Sequence, residues 1–120
     1  MTIKTETLGY PGIGKNRELK KALEAFWSGK SEADTLLQIF HDVEAANWQT
    51  QLTAGIDRIG IGDTTLYDRV LDWSFRLGLI PDRFCHLSGL IRYFAIVISI
   101  ENSRSNNRMV EATKILREEE

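Results

Sequence analysis

Residues 9–16, Gly9-Tyr10-Pro11-Gly12-Ile13-Gly14-Lys15-Asn16, hold the strongest chemical signal in the chain. They match the nucleotide-loop pattern of Gly, four residues, Gly-Lys and Ser/Thr at every position except the last. A loop that cradles phosphate needs glycines so that successive backbone N–H groups point inward, and a lysine to meet the outer phosphates. Asn16 supplies an amide where magnesium needs a small hydroxyl, and Pro11 removes one N–H donor. Three readings stay open on these residues alone: a nucleotide loop, a general anion site formed by a helix N-terminus with Lys15, Arg17 and Lys20 around it, or a tight turn into a helix.

Other chemistry-capable residues are sparse. Cys85-His86 is the one adjacent pair of metal-capable side chains, and His41 is the only other histidine. Zinc needs three or four ligands in tetrahedral reach, so a turn residue and a buried thiol are the expected roles. Asp57, Asp63, Asp68 and Asp72 could pair as acid and base. Asp63 reads better as a helix cap, and Asp68 with Asp72, four apart, as a solvated helix face. Trp27, Trp48 and Trp73 each fall near an apolar helix face, which favours core packing over stacking on a ring ligand.

The scaffold for these residues is one domain of 120 residues, 42% hydrophobic and 27% charged. A chain of this size buries roughly two-thirds of its unfolded surface and needs no staple. A net charge of −2 gives no electrostatic case for nucleic acid or an anionic membrane. A single cysteine excludes an internal disulfide framework. The N-terminus lacks the apolar run of a signal peptide. The longest nearly apolar stretch, residues 87–100, carries Arg92 and falls short of the ~20 residues that span a bilayer. The compartment these features imply is the cytoplasm.

Periodicity predicts a short strand at residues 7–8, then a helix capped by Asn16, with Leu19, Ala22, Leu23, Phe26 and Trp27 on one face and Gly29 as its end. Ser31 caps a second helix, with Leu36, Ile39, Phe40, Val43 and Ala46 inward, stopping at Gly55. Residues 56–61 suit a strand, and Asp63 or Thr64 caps a third helix that ends at Gly78. The apolar, β-branched residues 93–100 read as a buried strand or an aggregation-prone segment. Residues 101–108 read as a loop and 109–120 as a final helix. Strands alternating with helices argue for parallel βα units.

Residues 8–11, Leu-Gly-Tyr-Pro, followed by Ile13-Gly14-Lys15-Asn16-Arg17-Glu18-Leu19-Lys20-Lys21-Ala22-Leu23-Glu24, closely resemble the N-terminus of the cobalamin-independent methionine synthase family. The likeness continues through Trp27, Gly29-Lys30, Asn47-Trp48, Ala54-Gly55-Ile56-Asp57, Gly62-Asp63, Leu66-Tyr67-Asp68, Val70-Leu71-Asp72, Leu77-Gly78 and Ile80-Pro81-Asp82-Arg83-Phe84. Three departures stand out. Gly12 replaces the family's usual arginine, Thr64 a phenylalanine, and Arg69 a histidine or glutamine.

The resemblance implies an α/β fold: a partial (βα) barrel, the first βα units of a TIM-type barrel over residues 1–84. Residues 85–120 would be a divergent C-terminal tail with an apolar segment and a terminal helix. It implies methyl transfer from methyltetrahydropteroyltriglutamate to homocysteine, in methionine biosynthesis, with zinc bound by a domain this chain lacks. It therefore implies no cofactor, metal ligand or catalytic residue in this chain, and no activity of the chain alone. The family's contacts to the folate polyglutamate tail carry over to Arg17, Glu18, Leu19 and Lys20, and to Lys114 in the pair Thr113-Lys114. Self-association through open sheet edges, in a non-catalytic interaction module, is the alternative role, beside the nucleotide loop.

Overall fold

The computed structural model describes residues 2–102. Four α-helices make up this part: α1 (Glu18–Trp27), α2 (Ala33–Thr53), α3 (Arg69–Arg76) and α4 (Gly89–Asn102), with a 3₁₀ turn at Asp82–Phe84 between the last two. The final helix expected at 109–120 lies outside the described residues. So does most of the loop expected at 101–108.

α1 forms where its apolar spacing predicts. Leu19, Ala22, Leu23 and Phe26 are buried along one face. The chain leaves it through Gly29 at φ +70°, with Gly29 N–H donating to Phe26 O at 3.0 Å and Lys30 N–H to Ala25 O at 2.9 Å. The cap differs from expectation. Arg17, not Asn16, flanks the first turn, in the left-handed region at φ 59°. Likewise Glu32, not Ser31, precedes α2. α2 buries Leu36 and Val43, but Asn47 and Gln51 continue its inner stripe. The amides of these two residues reach the N-terminal segment. Asn47 Nδ2 donates to Pro11 O at 3.1 Å, and Thr7 Oγ1 donates to Gln51 Oε1. A polar end on an otherwise apolar stripe is thus how α2 holds the loop before α1.

The α/β expectation is overturned, and with it the partial barrel: among the described residues there is no strand and no sheet. The residue just before the expected strand at 7–8 and the segment expected at 56–61 meet in one parallel bridge, Glu6 with Arg58. Thr7 N–H donates to Arg58 O at 3.2 Å, and Arg58 N–H to Thr5 O at 3.0 Å. Asp57 ends the ladder there, because its carboxylate takes the Thr5 N–H at 2.8 Å. Gly60 lies so close that a Cβ would stand 3.0 Å from Leu8 O. Parallel strands need neighbours and cover on both faces, and two short segments have neither. One bridge also presents no sheet edge among the described residues.

The apolar run at 93–100 is corrected as well: it is the helix α4. Tyr93, Phe94, Ile96 and Val97 are buried, spaced one, three and four residues apart, which is helical and not alternating. A short apolar run does not by itself separate a buried strand from a buried helix. α4 supplies the centre of the core. Phe94 is 2% exposed and stands 5.3 Å from Phe26 and 5.9 Å from Trp27, ring to ring. Leu36 on α2 is completely buried beside the same cluster.

The third helix begins later than expected, at Arg69, and its cap is Asp68, whose Oδ1 accepts from Leu71 N–H at 2.8 Å. Asp72 faces inward, not to solvent. Its Oδ2 accepts from Leu66 N–H at 3.0 Å, and its Oδ1 accepts a short hydrogen bond from the Tyr93 hydroxyl. The same Tyr93 oxygen accepts from Tyr67 N–H at 3.1 Å and Asp68 N–H at 3.2 Å. Burial, followed by the bond to Asp72, holds the Tyr93 phenol well above its ordinary ionisation range.

Removing the hydroxyl strands one carboxylate oxygen and two backbone donors. Tyr93→Phe is expected to lower unfolding stability by about 1–3 kcal/mol in urea titration. The raised folded-state pKa adds a pH signature. Stability from this phenol is complete below about pH 10, the unfolded value, and is lost as pH rises above it. Wild type should therefore lose more stability between pH 9 and 11 than Tyr93→Phe does.

Candidate functional site

The loop before α1 is fixed from both sides. Asp63 Oδ2 accepts from Tyr10 N–H at 2.6 Å, and a Cβ on Gly9 would stand 2.7 Å from that same oxygen. Gly12 sits on Thr64, where a Cβ would stand 3.0 Å from Cγ2. Gly12 and Thr64, both departures from the family pattern, are therefore in contact, and Thr64 is 1% exposed beneath the loop.

The start of α1 is already occupied by a carboxylate. Glu18 Oε2 accepts from Asn16 N–H at 2.9 Å. Glu18's own backbone N–H bond is the largest cause holding its carboxyl below the ordinary value, with Asn16 and the charge of Lys21 adding to it. Gly14 at φ +89° gives this carboxylate its room, since a Cβ there would stand 2.1 Å from Oε2. Two neighbouring donors are also committed: Arg17 N–H goes to Gly14 O at 3.1 Å and Leu19 N–H to Ile13 O at 3.2 Å. A phosphate nest needs these N–H groups free and convergent. The nucleotide reading therefore has two of its donors, Asn16 and Arg17 N–H, taken within the chain. What the geometry keeps is the anion site, with an internal carboxylate in it.

Two clefts flank the loop. One, of about 770 Å³, has Leu19, Leu23 and Leu66 among its apolar lining, with Tyr10, Trp27 and Tyr67 as aromatic walls. Lys20 and Arg69 bring cations to it, and Glu24 and Asp63 bring carboxylates. Trp27 and Tyr67 meet edge to face at 5.6 Å. The second, of about 750 Å³, runs between the loop and α2 and is lined by Lys15, Glu18, Asp42 and Asn47 among others.

The residues singled out by resemblance separate by role. Arg17 is exposed at the head of α1, and Glu18 closes that head. Leu19 is buried in the core cluster while also lining the first cleft. Lys20 lines that cleft and pairs with Glu24 at 3.7 Å. Lys114 lies outside the described residues. The residues missed as site formers are Arg69, Tyr67 and Tyr10. The signal for Arg69 was its departure from the family pattern. It now donates from Nη2 to Asp63 O at 3.3 Å, across the cleft mouth.

Elsewhere, Cys85 is exposed and not buried as expected. Trp73 is 46% exposed under the Arg76 guanidinium, 4.9 Å from its ring, so its expected core role is corrected too. No group of three His, Cys, Asp or Glu side chains among the described residues could hold a metal ion. No helix among them is long and apolar enough to cross a membrane.

The family model described as cobalamin-independent synthase, N-terminal domain, matches residues 4–114. The chain belongs to this family. It is 65% identical over 96 residues to the 5-methyltetrahydropteroyltriglutamate–homocysteine methyltransferase of Thermosynechococcus vestitus, covering 80% of this chain and 13% of that relative. It is 64% identical over 96 residues to the enzyme of the same name from Trichodesmium erythraeum, again 80% and 13%. The Flavobacterium johnsoniae enzyme matches over 116 residues at 42%, which is 93% of this chain and 15% of the relative. The chain thus spans only about an eighth of these relatives' length.

The Glu18 cap makes a directional prediction. Its depressed pKa means the contribution is complete above the ordinary carboxylate range and is lost as pH falls through it. Between pH 6 and pH 3, wild type should lose more thermal stability than Glu18→Gln, followed by circular dichroism; equal losses would remove the carboxylate from the cap.

Proposed function

We propose that this synthase-family chain provides a binding surface for the polyglutamate tail of a methylated folate and contributes no reacting group. The observation that carries this reading is the cluster of cations at the start of α1, beside a cleft with apolar lining and aromatic walls. Lys15, Arg17, Lys20 and Lys21 fall within seven residues there. Lys20 and Arg69 line the cleft itself.

The chemistry suits a string of carboxylates. A γ-linked glutamate tail presents repeated anions on flexible, partly apolar stems, and the cleft offers cations above Leu19, Leu23 and Leu66. Arg17 can present a two-pronged guanidinium, which favours carboxylate over other anions. The head of α1 is taken by Glu18 within the chain, so on this reading the tail's carboxylates meet side-chain cations and not backbone donors. Each exposed pair contributes only ~0–1 kcal/mol, so several must act together for measurable affinity. Methyl transfer to homocysteine belongs, on this reading, to the larger polypeptide of which relatives consist, with its zinc held by other residues.

Titration calorimetry with a triglutamyl methylated folate tests the reading. Arg17→Ala with Lys20→Ala should weaken binding by roughly three- to tenfold, the sum of two exposed pairs. Raising salt from 50 to 500 mM should weaken it further, since exposed charges are screened. A monoglutamyl folate that binds equally well would overturn the reading. So would affinity unmoved by either the double substitution or salt.

A further inference from the structure

α1 carries an ion pair that helix physics does not ask for. Lys20 Nζ stands 3.7 Å from Glu24 Oε1, four residues further along the helix. Lys20 lies in the first turn, where the helix dipole favours anions. Glu24 lies in the last turn, which favours cations and holds no base. The order within the pair is also the weaker one, since a glutamate placed N-terminal to its lysine stabilises a helix better. Exchanging the two residues would favour α1 on all three counts. Helix stability therefore does not account for the arrangement, and a residue that breaks a local rule without a structural gain is where function is to be sought.

Both side chains line the larger cleft, and Leu19, Leu23 and Trp27 line it from the next ridge of the same helix. Asp63, the other carboxylate there, is committed to the Tyr10 N–H. Glu24, among the described residues, holds only the Lys20 ammonium. The two side chains are 49% and 60% exposed, so the pair stays hydrated and weak enough to exchange partners. The cleft thus offers a cation and an uncommitted acceptor side by side, next to an apolar strip. A γ-glutamyl unit is the chemical complement of that array. Its amide N–H and its α-carboxylate hang on the same carbon, and a short methylene stem follows. We propose that Lys20 and Glu24 read one γ-glutamyl unit of the folate tail at two points. The ammonium takes the α-carboxylate, and the Glu24 carboxylate takes the amide N–H of the same unit. The proposal rests on the polyglutamate reading and adds to it what selects the tail. Lys15 and Arg17 attract any polyanion, whereas Glu24 repels a carboxylate that brings no N–H with it. A donor bound to an ionised acceptor makes the stronger kind of hydrogen bond, which offsets that repulsion for the amide alone.

Titration calorimetry on the full 120-residue chain compares the triglutamyl methylated folate with an analogue in which ester oxygen replaces every amide N–H of the tail. The carboxylates of the two ligands are the same. Wild type is expected to bind the amide form roughly threefold more tightly or better. Glu24→Ala should abolish that preference, weakening the amide form and tightening the ester form. Alanine suits an exposed helix position, so the variant should keep its helical circular dichroism. Glu24→Gln, which keeps a neutral acceptor, should retain part of the preference. Equal binding of the two forms by wild type, still weakened by Arg17→Ala with Lys20→Ala, would overturn the two-point contact and leave the tail reading standing. A preference that survives Glu24→Ala would overturn it as well. No binding of the triglutamyl folate at all would remove the tail reading and this proposal with it.

Discussion

The junction of Tyr93 with Asp72 is the constraint on which the described structure turns. Residues 64–68 follow no helix or strand, yet Leu66 is buried and must bring its backbone with it. Buried N–H groups without partners cost about 1–3 kcal/mol each. Here Asp72 takes the Leu66 N–H, and the Tyr93 oxygen takes those of Tyr67 and Asp68. One phenol on α4 and one carboxylate on α3 thereby lock the segment between α2 and α3. The Tyr67 ring is held against Trp27, and the wall of the larger cleft exists because of it.

The opposite wall is organised by a different device. The N-terminal segment makes one bridge with residue 58 and otherwise hangs on side chains: Asp57, Asp63, Asn47 and Gln51 take its polar groups. Polar side chains of α2 and of the following turn take the place a sheet would fill elsewhere. The cleft is therefore bounded by two loops, each fastened by carboxylates or amides. Its cations sit on the first turns of α1 and α3.

The sequence made much of this legible, and its misses have physical causes. α1 and α2 were readable because their apolar residues recur at helical spacing and glycines at positive φ follow them. α4 was not, because β-branched apolar runs are locally ambiguous and only burial on Phe26, Trp27 and Phe75 decides their form. The barrel expectation failed at residues 56–61 because alternation predicts a strand only if a neighbouring strand exists to pair with it. Asp68 is exposed as expected, whereas Asp72 looked solvated because its partners Leu66 and Tyr93 come from 6 and 21 residues away. At the site, Arg17, Glu18 and Lys20 were visible as a charged run, whereas Arg69 enters the cleft only through the turn that α3 follows.

The proposed function gives the two loops and the cation cluster one role: on that reading this polypeptide binds a folate tail and contributes no reacting group. The most direct measurement gives the purified 120-residue chain homocysteine, zinc and a triglutamyl methylated folate, with no second polypeptide, and follows methionine by mass spectrometry. No methionine above the enzyme-free background is the result expected. Turnover by the chain alone, abolished by substitution within it, would contradict the account.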